Sequence, residues 1–312
     1  MLRSQCFRVV LTLLGIVAMS RAGLAQVQLN VKVPAGKKIA ISTDITVNQV
    51  LTLAGMNIES KSEQNSVGSA TYSKIGPDGG YRVEHKTETL QLRIKAAGME
   101  FAFDSVNPDK EADNPLGKQI AETLKATLKA NWTSVHDKSN HIVAVEGIEK
   151  ALEGLSPEAA AGVRSQLDPE YLKDSLNLKL DRIPTKPVKK GDTWEQMEPA
   201  RVGSGQTLTF KQRYTYTGTV EKNGVQLDRI EVTTTDVTFD IAADSPIPLK
   251  LVKSDLKIAN SKGELLFDRQ QGSSVEETSK IQIKGSLTFS INGQELPGEL
   301  DLTFDSAGRV RP

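Results

Sequence analysis

Any chemistry that needs an imidazole must use His85, His136 or His141, because the 312 residues contain no other histidine. His136, Asp137 and His141 flank one predicted turn and are the candidates for a metal site, since imidazole and carboxylate groups bind zinc. The plainer interpretation is that they decorate an exposed hairpin, and without a second cluster nearby we expect no metal and no other cofactor. His85 lies beside Glu84 in a predicted strand, where we expect it on the polar face.

Carboxylates that could support hydrolysis are concentrated in one loop. They are Asp104, Asp109, Glu111 and Asp113. The loop does not match a calcium-binding loop, because Asn114 replaces the glycine at its sixth position and Ile120 the glutamate at its twelfth. Serine-nucleophile and zinc-protease motifs are absent, and aromatic residues make up only 5% of the chain. The sequence therefore predicts a protein that is not an enzyme. A hydrolase using Asp104 and Asp109 is kept as the second alternative.

The first 25 residues have the three zones of a secretory signal peptide. Arg3 and Arg8 form a basic start, an apolar run covers 9–19, and Gly23-Leu24-Ala25 supplies a cleavage site. The apolar run is shorter than the roughly 20 residues that span a bilayer, so we expect cleavage near Ala25 and no transmembrane segment in the mature chain. The expected location is periplasmic or extracellular.

The charge and cysteine content restrict the partners and the source of stability. Cleavage after Ala25 removes three arginines and no acid, which leaves 36 basic against 39 acidic side chains. A balance so near neutrality gives no electrostatic reason to expect nucleic acid as a partner. The mature chain has no cysteine, so its stability must come from core packing.

Most of the chain alternates between apolar and polar residues, as in antiparallel strands with one buried face. Leu90, Leu92 and Ile94 form the clearest run. Predicted turns separate the strands at 76–80, 222–224, 261–263 and 292–293, and Asn-Gly is the strongest hairpin signal among them. We expect residues 26–312 to form a single β-rich domain.

Three short segments share a Phe-Asp pair at the end of an alternating run. They begin at Phe103, Phe267 and Phe304. Either the two β halves are duplicated, or each strand ends on an inward Phe before a turn in which the Asp side chain accepts a backbone hydrogen bond.

Helical spacing replaces the alternation over about 114–174. Asn114-Pro115 is typical of a helix start, and leucine or isoleucine then recurs every four residues. This apolar stripe consists of Leu116, Ile120, Leu124 and Leu128. Ser156-Pro157 and Asp168-Pro169 start two further predicted helices. The fold class expected is mainly β with a helical insertion (α+β), in which a large curved antiparallel sheet or half-barrel packs on a few helices.

The apolar stripe is also the candidate ligand-binding surface. A curved sheet can leave a space beside a helix that accepts an acyl chain, and Leu116, Ile120, Leu124 and Leu128 would then line it. The same four side chains could instead fill that space as core. Both readings stay open at this point.

The order of several segments resembles a family of uncharacterised exported bacterial proteins, a domain of unknown function. The segments are Phe103-Asp104-Ser105, Asn114-Pro115-Leu116, Val143-x-Val145-Glu146-Gly147 and Pro187-Val188-Lys189-Lys190-Gly191-Asp192-Thr193-Trp194. The resemblance implies export and a β-rich fold, and it brings no catalytic residue. The plan is also similar to the half-barrel of periplasmic lipoprotein carriers, an analogy of fold alone.

Together these observations predict an exported, non-enzymatic protein of the cell envelope with a structural or interaction role. The alternative is a carrier that binds a lipid or another apolar ligand. The partner class left open is thus a lipid or another envelope protein.

Overall fold

A computed structural model describes residues 26–107, 115–203, 205–243, 245 and 247–311. The predicted signal peptide lies outside the described residues, as do Asp109, Glu111, Asp113 and Asn114. The strands are β1 (Lys38–Leu53), β2 (Met56–Tyr72), β3 (Tyr81–Ala96), β4 (Met99–Asp104), β5 (Asn131–His136), β6 (Ile142–Glu146), β7 (Thr193–Gly203), β8 (Gln206–Lys222), β9 (Val225–Ile241), β10 (Lys250–Asp268), β11 (Ser273–Ile291) and β12 (Gln294–Arg311). The helices are α1 (Pro115–Lys129), α2 (Glu149–Leu152), α3 (Pro157–Gln166) and α4 (Pro169–Asp181).

The 12 strands form one sheet, with the order β6-β5-β3-β2-β1-β12-β11-β10-β9-β8-β7 and β4 paired with β3 beside β5. Every strand pair is antiparallel. The chain is therefore mainly β with one large antiparallel sheet, as the alternation predicts, and helical packing is a minor part of it.

Tight hairpins join most neighbouring strands. A type I′ turn needs positive φ at both central residues, which asparagine and glycine tolerate. Asn223-Gly224 and Asn292-Gly293 supply such pairs, as predicted. The turns after β1 and β3 instead use Ala54-Gly55 and Ala97-Gly98, with alanine φ angles of 49° and 48°.

The predicted turn at 261–263 is wrong, because these residues lie inside β10. Gly263 is needed there for a close approach of strands: a β carbon at this position would lie 3.0 Å from the Thr278 carbonyl oxygen and 3.1 Å from Val232 Cβ. This glycine therefore indicates tight strand packing rather than a change of direction.

The predicted Phe-Asp pattern is only partly correct. Phe103-Asp104 ends β4 and Phe267-Asp268 ends β10, and each Asp side chain accepts a backbone hydrogen bond from two residues further on. Phe304-Asp305 lies within β12, where pairing with both β1 and β11 continues past it. The third copy therefore ends no strand.

Helix α4 contacts both edge strands of the sheet, β6 and β7. On one side the Asn177 amide pairs with the Ile142 backbone, accepting from its N–H at 2.8 Å and donating to its carbonyl oxygen at 3.0 Å. On the other side Gln196 Nε2 donates to the Leu178 carbonyl oxygen at 2.6 Å. A flat sheet of eleven strand positions would be about 48 Å wide, far beyond the reach of one helix, so the sheet must curve around α4.

An extensive apolar cluster is built from strands alone. Its buried members are Leu208, Val237, Phe239, Leu256, Ile281, Ile283, Leu287, Phe289 and Leu302. β9 and β10 pair only over 228–232 and 263–267. Beyond that point β9 separates from β10. The apolar residues of β8 and β9 then pack against those of β10, β11 and β12.

The helix starts follow the sequence signals. Ser156 Oγ accepts from Ala159 N–H at 3.2 Å, and Asp168 Oδ1 accepts from Tyr171 N–H at 2.6 Å. Helix α4 continues to Asp181, beyond the predicted end near 174. None of the helices in the described part of the chain has the length and hydropathy of a bilayer-spanning segment.

Candidate functional site

A partly open cavity of about 840 Å³ lies beside α1, between that helix, β5 and the α2 segment. Its volume is typical of small-molecule sites, which span roughly 300–1,000 Å³. Small apolar side chains line part of it: Ala121, Ala126, Ala130 and Ala151, together with Leu155. Because alanine side chains end at Cβ, the helix leaves room where larger residues would fill the space.

The position of α1 is fixed by α3 and by the sheet. Both Glu122 carboxylate oxygens accept hydrogen bonds from Ser156, at 3.2 Å from its N–H and 3.1 Å from its Oγ. Gly162 of α3 lets the helices approach closely, since a β carbon there would lie 3.0 Å from the Thr123 side chain. These contacts hold α1 against α3, and the apolar stripe of α1 packs on the sheet at Phe101 and Phe103.

Charged side chains surround the alanines. Four lysines line the cavity, Lys118, Lys125, Lys129 and Lys150, against three glutamates, Glu84, Glu122 and Glu153. Among the described residues, Lys118, Lys129 and Lys150 form no hydrogen bond or ion pair through their ammonium groups. The cavity therefore combines an apolar lining with an incompletely neutralised basic rim.

The predicted apolar stripe lies next to this cavity rather than in it. Ile120, Leu124 and Leu128 pack with β3 and β4, against an apolar cluster that includes Phe101 and Phe103. The Leu116 side chain lies outside the described residues. Sequence reasoning missed the cavity because it searched for large apolar residues. The signal that could have found it is the alternation of alanine and lysine on the neighbouring face of α1.

The histidine candidates divide between two environments. Ser134 Oγ lies 2.9 Å from Nε2 of His85 and 2.9 Å from Nε2 of His136. Since a hydroxyl has one proton, Ser134 donates to one imidazole and accepts from the other. His141 lies instead 3.5 Å from Asp181. No group of three or more metal-binding side chains is present in the described part of the chain.

The structure corrects the position expected for His85. Its ring stacks on Trp132 with centroids 3.9 Å apart, so it does not lie on a polar face. Burial, helped by the neighbouring His136, lowers the pKa of His85 to about 4. Ser134 is fully buried, with 0% of its surface exposed, so no substrate can reach its hydroxyl. The contact therefore joins two strands.

Asp104, the described member of the acidic candidates, is part of a turn. It accepts from Val106 N–H at 2.9 Å and from the Gln91 and Asn107 amides. The hydrogen bond from Val106 is the first cause of its lowered pKa. Its carboxylate is thus used for local structure.

A second polar cluster attaches the end of α4 to the sheet. Arg182 donates two hydrogen bonds of 2.6 Å to Glu198 of β7 and two more, of 2.8 and 3.0 Å, to Glu277 of β11. Burial by itself lowers the pKa of Arg182. The hydrogen bond to Glu198 and the charge of Glu277 outweigh that effect, so the pKa is raised. Trp194 Nε1 donates to the Arg182 carbonyl oxygen at 2.9 Å and its ring stacks on Tyr214. These contacts give Trp194 a structural role.

The family model described as "Family of unknown function (DUF6263)" matches residues 78–272, more than half of the chain. The chain belongs to that family. This confirms the resemblance to uncharacterised proteins inferred from the short segments. No curated protein matches the chain.

Three solved structures show the range of structural likeness. One, described as "Lipid-protein interactions in lipovitellin", is 11% identical over 90% of this chain, with a TM-score of 0.42. The COG4313 outer membrane channel from Pseudomonas putida F1 is 7% identical over 90% of this chain and 97% of its own, with a TM-score of 0.21. A DUF1329 family protein from Desulfovibrio piger ATCC 29098 is 8% identical over 84% of this chain and 83% of its own, with a TM-score of 0.15. The chain spans 25% of the lipovitellin chain. With every TM-score below 0.5, these likenesses assign no function.

Proposed function

We propose that this family member is an exported, non-enzymatic protein of the cell envelope that binds an amphiphilic ligand, such as a lipid, in the cavity beside α1. The observation that carries the proposal is the cavity of about 840 Å³ with alanines along one part and charges along its rim. An amphiphile matches both parts, because its apolar portion can fill the space beside the alanines while its polar portion stays among the charges. In this proposal the sheet is a half-barrel scaffold that holds α1 in place.

Filling the cavity tests the proposal directly. Ala151, on the α2 wall, is replaced by Trp, and Ala161, which is exposed on α3, is replaced by Trp as the matched control. Each mature protein is purified from its own envelope and measured by native mass spectrometry, followed by organic extraction. We expect a stoichiometric apolar molecule with the wild type and with Ala161→Trp, and none with Ala151→Trp. A mass without ligand for all three proteins would refute the proposal.

Export is tested by cell fractionation of the full chain and sequencing of the recovered N-terminus. We expect the protein in the periplasm or the medium, starting at Gln26. A cytoplasmic protein that retains residues 1–25 would contradict this part of the proposal.

A second candidate function, an interaction role, is favoured by the alanine-glycine turns. Each turn is followed by an exposed methionine: Met56 keeps 67% of its surface exposed and Met99 keeps 55%. Exposed apolar groups at hairpin tips are suited to contacting a partner. Photo-methionine at position 56 should cross-link a specific envelope protein in intact cells, whereas photo-methionine at the exposed Met197 of β7 should not. Equal cross-linking from both positions would argue against a docking role for the tips.

A further inference from the structure

The charges around the α1 cavity are unevenly distributed along the helix. A helix rises about 1.5 Å per residue, so Lys118 and Lys129 are separated by about 16 Å along α1. Glu122, bound to Ser156, lies at the Lys118 end. Lys125 and Lys129 lie at the other end, where Ala126 and Ala130 line the cavity. Within α1 itself, positive charge is therefore concentrated towards the C-terminal end, and the other two acids of the cavity, Glu84 and Glu153, come from other segments.

Lys150 belongs to this same end, although it comes from the opposite wall. Its neighbour Ala151 packs in one apolar cluster with Ala126 of α1 and with Ala130, the residue that follows this helix. The positive charge of Lys129 also stabilises α1, because it lies at the negative end of the helix dipole. That role does not explain Lys150, which belongs to α2, so lysines from two different walls line the same cavity.

We propose that the ligand of this cavity carries an anionic group, held between Lys129 and Lys150, with its apolar chain along Ala126, Ala130 and Ala151. This inference rests on the proposed function and names its ligand class: a single-chain amphiphile with one carboxylate or phosphate. A charge-assisted hydrogen bond from each ammonium compensates the loss of water around the anion. Glu84 also lines the cavity, but it takes no part in holding the anionic group because it carries the same charge. A cationic amphiphile would meet the two lysines as like charges and is disfavoured.

Competition for a neutral apolar probe separates this inference from the proposed function. The mature protein is titrated with N-phenyl-1-naphthylamine, and the probe is displaced with laurate, dodecyl phosphate, dodecanol or dodecyltrimethylammonium below their micellar concentrations. We expect the anions to displace the probe at concentrations at least about tenfold lower than dodecanol, as one charge-assisted hydrogen bond suffices for that factor. Laurate and dodecyl phosphate distinguish a fatty acid from a phospholipid-type headgroup.

The matched variants are two double substitutions. Lys129→Ala with Lys150→Ala should bind the neutral probe as the wild type does and lose the preference for anions. Lys37→Ala with Lys253→Ala removes the same charge from exposed positions elsewhere and should keep it. Equal displacement by all four amphiphiles, or a preference that survives in the Lys129 and Lys150 variant, would overturn the anionic ligand and leave the cavity function intact. Failure of the probe to bind the wild type, or probe binding that is unchanged by Ala151→Trp, would overturn both.

Discussion

Ala54 and Ala97 occupy a backbone region in which the described part of the chain otherwise places asparagine or glycine. Their φ angles of 49° and 48° match those of Asn223 and Asn292, at 52° and 51°. For a residue with a β carbon, the left-handed region costs roughly 1–2 kcal/mol, whereas asparagine offsets the cost by local hydrogen bonding. Ala54→Asn and Ala97→Asn should therefore each raise the free energy of unfolding by about 1 kcal/mol.

A glycine variant gives an internal check on the magnitude. Ala54→Gly removes the same steric cost, but glycine loses about 0.5–1 kcal/mol more conformational entropy on folding. Its gain should therefore be smaller than that of Ala54→Asn. Ala54 is exposed, so neither substitution meets a packed neighbour.

Urea denaturation of the mature protein measures these differences through the unfolding midpoint. Asn223→Ala and Asn292→Ala are the reciprocal controls and should each lose about 1 kcal/mol. If the asparagine substitutions at Ala54 and Ala97 change nothing while the reciprocal variants are destabilised, the left-handed geometry of the alanine turns is refuted. A gain in stability together with a loss of cross-linking at Met56 would show that the apolar turns serve an interaction rather than folding.

The internal polar contacts give three more expectations, each measured on the same purified protein. His85 has a folded pKa of about 4 and an unfolded value near 6.5, so its neutral form stabilises the fold fully above pH 6.5. As the pH falls to 4, about 3 kcal/mol of the free energy of unfolding is lost. Urea titrations at both ends of that range should show the loss, and His85→Gln should reduce it. Arg182→Met should lower the free energy of unfolding by about 3–5 kcal/mol, because Glu198, with 13% of its side chain exposed, stays buried without its partner. Arg213→Met, at an exposed pair with Glu195, should lower it by less than about 1 kcal/mol. Comparable losses would show that burial does not decide the difference. Asn177→Ala should remove two hydrogen bonds to the edge strand, costing about 1–2 kcal/mol, and should speed hydrogen exchange at the Ile142 amide; unchanged exchange would mean that α4 does not protect β6.

Local patterns predicted the elements well, because alternation and cap residues act over a few positions. The hairpins at Asn223 and Asn292 and the helix starts at Ser156 and Asp168 follow this rule. The assignment of His85 failed because of one irregularity: between β2 and β3 the register shifts at Val67 and Gly68, which are opposite Thr89 and Thr87. One extra residue in β3 brings both His85 and Leu90 to the same face, although their spacing is odd.

Long-range features had no local signal. Contact of α4 with both β6 and β7 depends on the curvature of the whole sheet, which accumulates over many strands. The cavity results from small residues on two helices that are separate in sequence, so a search for large apolar side chains selected Leu124 and its neighbours instead. The sequence predicted a site beside α1, and the structure provides a cavity on an adjacent face of that helix.

The pairing of β1 with β12 has a consequence for how the chain folds. This pair extends from Ala40 opposite Arg311 to Leu53 opposite Gly298, so the middle of the sheet joins the two ends of the described chain. Such distant contacts slow folding, because a very large loop must close before they form. Until the 18 residues of β12 are in place, β1 and β11 are both open edges that can pair with other chains. Loss of β12 should therefore divide the sheet in two and promote aggregation, rather than merely shorten the protein.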